Sequence, residues 1–239
     1  MAAQSFPVTA IDEREGPAPA RALYGRSRGK ALRAGQKRLL AEALPQFSIA
    51  LEGLAEGRAF ARTPREMWLE IGFGAGEHLI EQAKANLDIG VVGCEPFLNG
   101  YVAALAGLRR EDLSNVRLRR GEAQAVIEAA PDAFFSRVFV LYPDPWPKRR
   151  HHKRRLIAQG VIDALARVMR QGAELRFATD IDDYAGWTLA RFLDSPHFGW
   201  AATRAHDWRQ PWPEWRPTRY EVKAHSEGRG SAYLTFVRL

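Results

Sequence analysis

From Met67 onward, short apolar runs rich in β-branched and aromatic residues alternate with longer stretches whose apolar positions recur at helical spacing. That alternation predicts a βαβ series and a mostly parallel sheet. The first strand reads MWLEIGF, and a helix over about residues 77–86 follows it. VVGCEP is the second strand, NGYVAALAGLRRE the next helix, VRLRRG the third strand, EAQAVIEAA a short helix and RVFVLYPD the fourth strand. A helix is expected over about residues 152–170, then the strand AELRFATD and the helix YAGWTLARFLDS. A stretch rich in Trp and Pro precedes the strand-like SAYLTFVRL.

Ahead of this pattern, residues 1–20 mix Pro, Ala, Gly and charges without periodicity and read as an unstructured leader. Residues 21–38, RALYGRSRGKALRAGQKR, carry seven cations among glycines and are too irregular for an amphipathic helix. They read as an RNA-touching arm, or as a solvated basic tail of the same composition. The arm and a lead-in helix occupy 21–60, and a catalytic domain occupies 61–239. The 35 Lys and Arg against 28 Asp and Glu favour a polyanionic partner. Cys94 is the single cysteine, which excludes an internal disulfide and a CxxC zinc cluster, and its strand-like neighbours suggest a small buried hydrophobe. No apolar run approaches the roughly 20 residues of a membrane helix, so a cytoplasmic protein is expected, of an oligomeric state that leaves no mark in the sequence.

The candidate chemistry lies at strand ends. After the first strand comes Glu70-Ile71-Gly72-Phe73-Gly74-Ala75-Gly76, a G-x-G-x-G turn that lets a ligand approach the backbone closely. It lacks the third glycine position of the dinucleotide fingerprint and the Lys and Ser/Thr of a P-loop, which disfavours a pyrophosphate ligand. Glu95 ends the second strand, where a carboxylate can accept both hydroxyls of a ribose. That acid suits NAD and S-adenosylmethionine alike. After the third strand, Glu122 either reaches an adenine amine or simply favours the start of its helix.

The fourth strand delivers Asp144 inside Pro143-Asp144-Pro145-Trp146-Pro147, a loop stiffened by three prolines. KRRHHKRR, residues 148–155, follows at an expected helix start, where positive charge opposes the helix dipole and an RNA phosphate would relieve it. His151 and His152 face different ways and have no companion cysteine motif, so no zinc site is expected.

Taken together, LEIGFGAGEHL, GCEP, YPDPWPKRRHHKRR, ATDIDDYA and TRYEVKAHSEG resemble, in order and spacing, the bacterial tRNA (guanine-N7)-methyltransferase family over about Tyr24 to Leu239. The resemblance implies a class I methyltransferase fold: α/β, Rossmann-like, with a seven-stranded mostly parallel sheet, helices on both faces and an antiparallel last strand. It implies S-adenosylmethionine as methyl donor, tRNA as partner and guanine 46 of the variable loop as target. By the same matching, Glu70, Gly72, Gly74, Gly76, Glu95, Glu122, Ala123 and Asp144 line the cofactor site, with Asp144 also the catalytic candidate. Lys148, Asp180, Thr218, Arg219, Tyr220 and Glu221 contact substrate. Glu122 departs from the family's usual Asp or Asn, and its extra methylene moves the carboxylate by about a bond length; the Ala123 N–H could compensate. Two other readings use similar features: an aminopropyltransferase, disfavoured because the cationic run would repel its substrate, and an RNA-binding module without turnover. Methylation of another RNA is a third.

Overall fold

The computed structural model describes Ser27 and residues 29–239; the expected leader and residues 21–26 and 28 of the basic arm lie outside the described residues. The apolar runs form β1 (Glu66–Ile71), β2 (Ile89–Glu95), β3 (Val116–Arg120), β4 (Phe135–Leu141), β5 (Met169–Thr179), β6 (Phe198–Trp200) and β7 (Ala232–Arg238). They lie in the order β3-β2-β1-β4-β5-β7-β6 in one sheet. The first five run parallel. β7 is antiparallel to β5 and to the edge strand β6.

Successive side chains of a strand point to opposite faces, so the sheet carries two cores. On one face Leu69, Val92, Cys94, Val140 and Phe177 pack with α5 (Ala123–Ala129), α6 (Gln159–Val168) and α7 (Asp182–Leu193). On the other, Trp68, Val91, Leu118 and Phe139 meet α1 (Ala34–Phe47), α3 (Glu77–Ala85) and α4 (Leu98–Arg110). A short α2 (Leu51–Ala55) links α1 to β1. Cys94 is buried as expected, and burial pushes its thiol up to about 12, which leaves it unreactive. No helix of the described residues is long and apolar enough to cross a membrane.

Three boundaries differ from expectation. The helix expected from about residue 152 begins only at Gln159; Arg149–Arg154 forms a short 3₁₀ turn, and β5 takes over at Met169. Cations crowded at a helix start oppose the dipole, and the chain stays extended through Ala158 (φ −130°, ψ 159°) before α6 opens. α1 starts at Ala34, inside the segment read as too irregular for a helix. Its apolar face, with Ala43 and Phe47 buried, carries the helix back to Arg33, whose N–H donates to Gln36 Oε1 at 3.0 Å. The Trp- and Pro-rich stretch contains α8 (His206–Arg209), and TRYEVKAHS forms α9 (Arg219–Ser226), neither anticipated.

Candidate active site

The order β3-β2-β1-β4 lines up four strand ends. At β1, Gly72, Gly74 and Gly76 all take positive φ (76°, 59° and 81°). A Cβ on Gly72 would meet nothing within 4 Å, whereas one on Gly76 would lie 2.8 Å from the Ala104 methyl. Gly76 therefore lets α4 pack close, and Gly72 keeps the space above the turn open. At β2, the buried Glu95 accepts from Gly74 N–H (2.7 Å) and Phe97 N–H (2.8 Å), one bond to each oxygen. Burial raises its pKa, those two bonds oppose the rise, and the charges of Asp144 and Glu70 add to it. At β3, Gly121 (φ 141°) also faces open space, and Glu122 occupies the N-cap of α5 without a side-chain capping bond. Ala123 opens that helix and is buried. A carboxylate with lone pairs to spare, between two glycines that leave room, fits the ribose and base of a nucleoside.

Glu70 is turned inward: its Oε2 lies 2.7 Å from His78 Nδ1, and both residues are buried. The His78 ring packs edge-on to Phe139 and against Trp215.

Beyond β4 the chain enters the Asp144 loop through strained backbone. Tyr142 (φ 49°) and Trp146 (φ 44°) both sit in the left-handed region, flanking Pro143-Asp144-Pro145. Such conformations cost about 1–3 kcal/mol each and persist where the surroundings over-determine them. Here Tyr142 N–H donates to Ala178 O (2.8 Å) and its hydroxyl to Ser231 Oγ (2.9 Å). Pro145 O accepts from Arg155 Nε (2.8 Å), and the Arg154 guanidinium lies 5.0 Å from the Trp146 ring centre. Asp144 itself is exposed, yet the protein on its inner side desolvates the carboxyl enough to raise its pKa.

The cationic run divides. Lys148, Arg149, Arg150 and Lys153 are exposed, whereas Arg155 is fully buried, contrary to the reading of the whole run as one outward stripe. Desolvation, then the charges of Arg154, Arg150, Lys148 and Lys153, hold the His151 imidazole below its ordinary pKa. RNA phosphates would offset those charges and raise it. Binding with a higher pKa takes up a proton, so tRNA affinity should strengthen as pH falls through the His151 range. His151→Gln should flatten that slope; a slope identical to wild type would count against phosphate placement here.

Of the other residues aligned to a substrate role, Thr218, Arg219, Tyr220 and Glu221 lie at the start of α9. Thr218 caps α9, its Oγ1 accepting from Glu221 N–H (3.3 Å), and Arg219 holds Glu77. Tyr220 overhangs the glycine turn: its ring is 3.5 Å from where a Gly74 Cβ would stand. Burial above all raises the Tyr220 phenol pKa, and the carboxylates of Glu95, Glu77 and Asp144 add to this against Arg219. Asp180 accepts from Arg229 Nε (2.8 Å). Glu221 is buried and accepts from Trp215 Nε1 (2.6 Å) and the Tyr233 hydroxyl. It anchors α9 from beneath. Trp215, Tyr233, His78 and Arg155 are not marked in the sequence: their carboxylate partners lie from 6 residues away (Trp215 and Glu221) to 28 (Arg155 and Asp183), spacings that belong to no local motif.

A seven-stranded sheet of this order and strand sense, with a glycine turn after β1 and an acid closing β2, defines a class I methyltransferase fold. The 16S rRNA methyltransferase KamB shares it at a TM-score of 0.55 and 18% identity, covering 81% of this chain and 95% of that one. An antibiotic-related methyltransferase does so at 0.52 and 12%, covering 88% and 97%. A family model described as "Putative methyltransferase" matches residues 64–234. The tRNA (guanine-N(7)-)-methyltransferase of Roseobacter denitrificans is 45% identical, covering 92% of this chain and 97% of its own. That of Azorhizobium caulinodans is 46% identical, covering 97% and 100%. The chain belongs to the tRNA (guanine-N(7)-)-methyltransferase family.

Proposed function

We propose that the protein methylates N7 of guanine 46 in the tRNA variable loop, with S-adenosylmethionine as donor. The observation that carries this reading is the Asp144 loop, which joins the glycine turn and Glu95 on one side to the exposed Lys148, Arg149, Arg150 and Lys153 on the other. Charge for an RNA backbone and a rigid carboxylate beside a nucleoside cleft thus share one segment.

When bound, S-adenosylmethionine supplies an electrophilic methyl group on a sulfonium. Glu95 would hold its ribose hydroxyls, Gly72 and Gly74 the backbone approach, and Glu122 with the Ala123 N–H the adenine. Glu70, through His78, supports the turn from below. Guanine N7 has an in-plane lone pair and no proton, so the residues need supply no general base; alignment of N7 with the methyl is their main task. Methylation leaves positive charge on the purine and acidifies N1–H. An ionised carboxylate at the Watson–Crick edge accepts from N1–H and N2–H and stabilises that charge. Asp144 suits this role best, because it is exposed whereas Asp180 is paired with Arg229. Lys148 would hold phosphate, and Tyr220, on the helix that Thr218 caps and Glu221 anchors, would close the cleft between turn and substrate with Arg219 alongside.

The test is incubation of purified protein with methyl-labelled S-adenosylmethionine and unmodified tRNA transcripts, followed by nucleoside analysis. Label in 7-methylguanosine is expected. Label in another nucleoside, or in ribosomal RNA alone, would overturn the substrate assignment; cofactor binding without transfer would point to another RNA substrate, and no cofactor binding would contradict the enzyme reading.

A further inference from the structure

We infer that Arg155 is a positioning residue for methyl transfer: it clamps the Asp144 loop to α7. The inference rests on the role assigned to Asp144 above. Arg155 ends the cationic run but turns inward and is 0% exposed. Its guanidinium lies between two rings of α7, 4.8 Å from the centre of Tyr184 and 4.9 Å from that of Trp187. From there Nε donates to Pro145 O at 2.8 Å, and Nη2 pairs with the Asp183 carboxylate. That pairing holds the Asp183 carboxyl below its ordinary pKa. A buried guanidinium is costly unless well paired, and here two of its bonds join a loop carbonyl to a helix side chain.

The same two rings fasten the next segment. Trp187 Nε1 donates to Ile157 O (2.8 Å), and Ile157 N–H donates to the Tyr184 hydroxyl (3.4 Å). His152 packs edge-on to Trp187 as well. The chain on both sides of Arg155 is therefore fixed to α7, and Pro145 is fixed to Arg155. Asp144 precedes Pro145 and Trp146, with its φ of 44°, follows it. A carbonyl held between Asp144 and a strained residue sets where both lie. Without the clamp, Trp146 can relax and Asp144 loses its aim. The geometry needs a planar fork that bonds in two directions while stacked between rings, which lysine lacks.

The experiment compares wild type with Arg155→Lys and Asp183→Asn. The Asp183 side chain is exposed, so its variant should fold even if Arg155→Lys does not. Three quantities are read: the single-turnover rate of tRNA methylation, the Kd for S-adenosylmethionine, and the ¹⁹F resonance of Trp146 in protein labelled with 5-fluorotryptophan. Arg155→Lys should slow transfer by about 100-fold, the scale of a misplacement near 1 Å. Cofactor Kd should stay unchanged and the Trp146 resonance should move. Asp183→Asn should move rate and resonance in the same direction by less. A Trp146 resonance unmoved in both variants, or a cofactor Kd that worsens in step with the rate, would overturn the clamp. If wild type itself fails to methylate tRNA, the functional reading falls while the resonance still decides whether Arg155 sets the loop.

Discussion

Asp144→Asn is expected to lower kcat/KM for tRNA methylation by about 100- to 1,000-fold, the range for removing one preorganised transition-state contact. The amide would turn a donor toward guanine N1–H and N2–H where an acceptor is needed, and it would carry no charge to balance the methylated purine. Cofactor affinity should fall far less, because Glu95 and the glycine turn remain. The pH profile gives a second readout. Desolvation by the protein on its inner side places the Asp144 pKa above the ordinary carboxylate value, so its ionised form is lost at a higher pH than for a fully solvated Asp as pH falls. The wild-type acid limb should report that loss, and the Asn variant should lack it. Wild-type kcat/KM in the variant would remove Asp144 from the mechanism.

The second large effect is expected at the other end of the cleft. Glu95→Gln should weaken S-adenosylmethionine binding roughly 10- to 100-fold, corresponding to about 1.5–3 kcal/mol for hydrogen bonds to a charged group. Both carboxylate oxygens are already used by backbone donors, Gly74 N–H and Phe97 N–H. A glutamine must turn its NH₂ toward one of them, losing that bond and the acceptor for one ribose hydroxyl. In wild type, burial raises the Glu95 pKa; binding that favours the ionised form should therefore weaken as pH falls through that raised value. Isothermal titration over pH 5 to 8 checks both points. A Kd for the variant equal to wild type would show that Glu95 supports the turn without holding the ribose.

Much of this arrangement was legible because strand ends carry the chemistry. A run such as VVGCEP shows where its strand stops, so the sequence alone places Glu95, the glycine turn and Asp144 at the carboxyl ends of neighbouring strands. The edge strand β6 is three residues long and has too little alternation to register. α9 is not legible because TRYEVKAHS is mostly polar, with Glu221 and Ala224 its buried residues; its stability comes from Trp215 and Tyr233 binding Glu221, contacts that exist only after folding. The cationic run misled in two ways. An α-helix is expected to start within it, against the opposition of its own charge to the dipole, where the chain forms a 3₁₀ turn, and nothing in KRRHHKRR distinguishes Arg155 from the exposed cations around it. The strain at Tyr142 and Trp146 is likewise invisible in composition: the prolines show that the loop is stiff, and only the tertiary clamps show what it is held against.

The most direct measurement is borohydride–aniline cleavage of a tRNA transcript after incubation with the protein and S-adenosylmethionine, beside the same transcript carrying adenine in place of guanine 46. Cleavage at position 46 in the first and its absence in the second is the predicted result. Cleavage at another guanine, or none while ribosomal RNA becomes labelled, would contradict the assignment of this site to the tRNA variable loop.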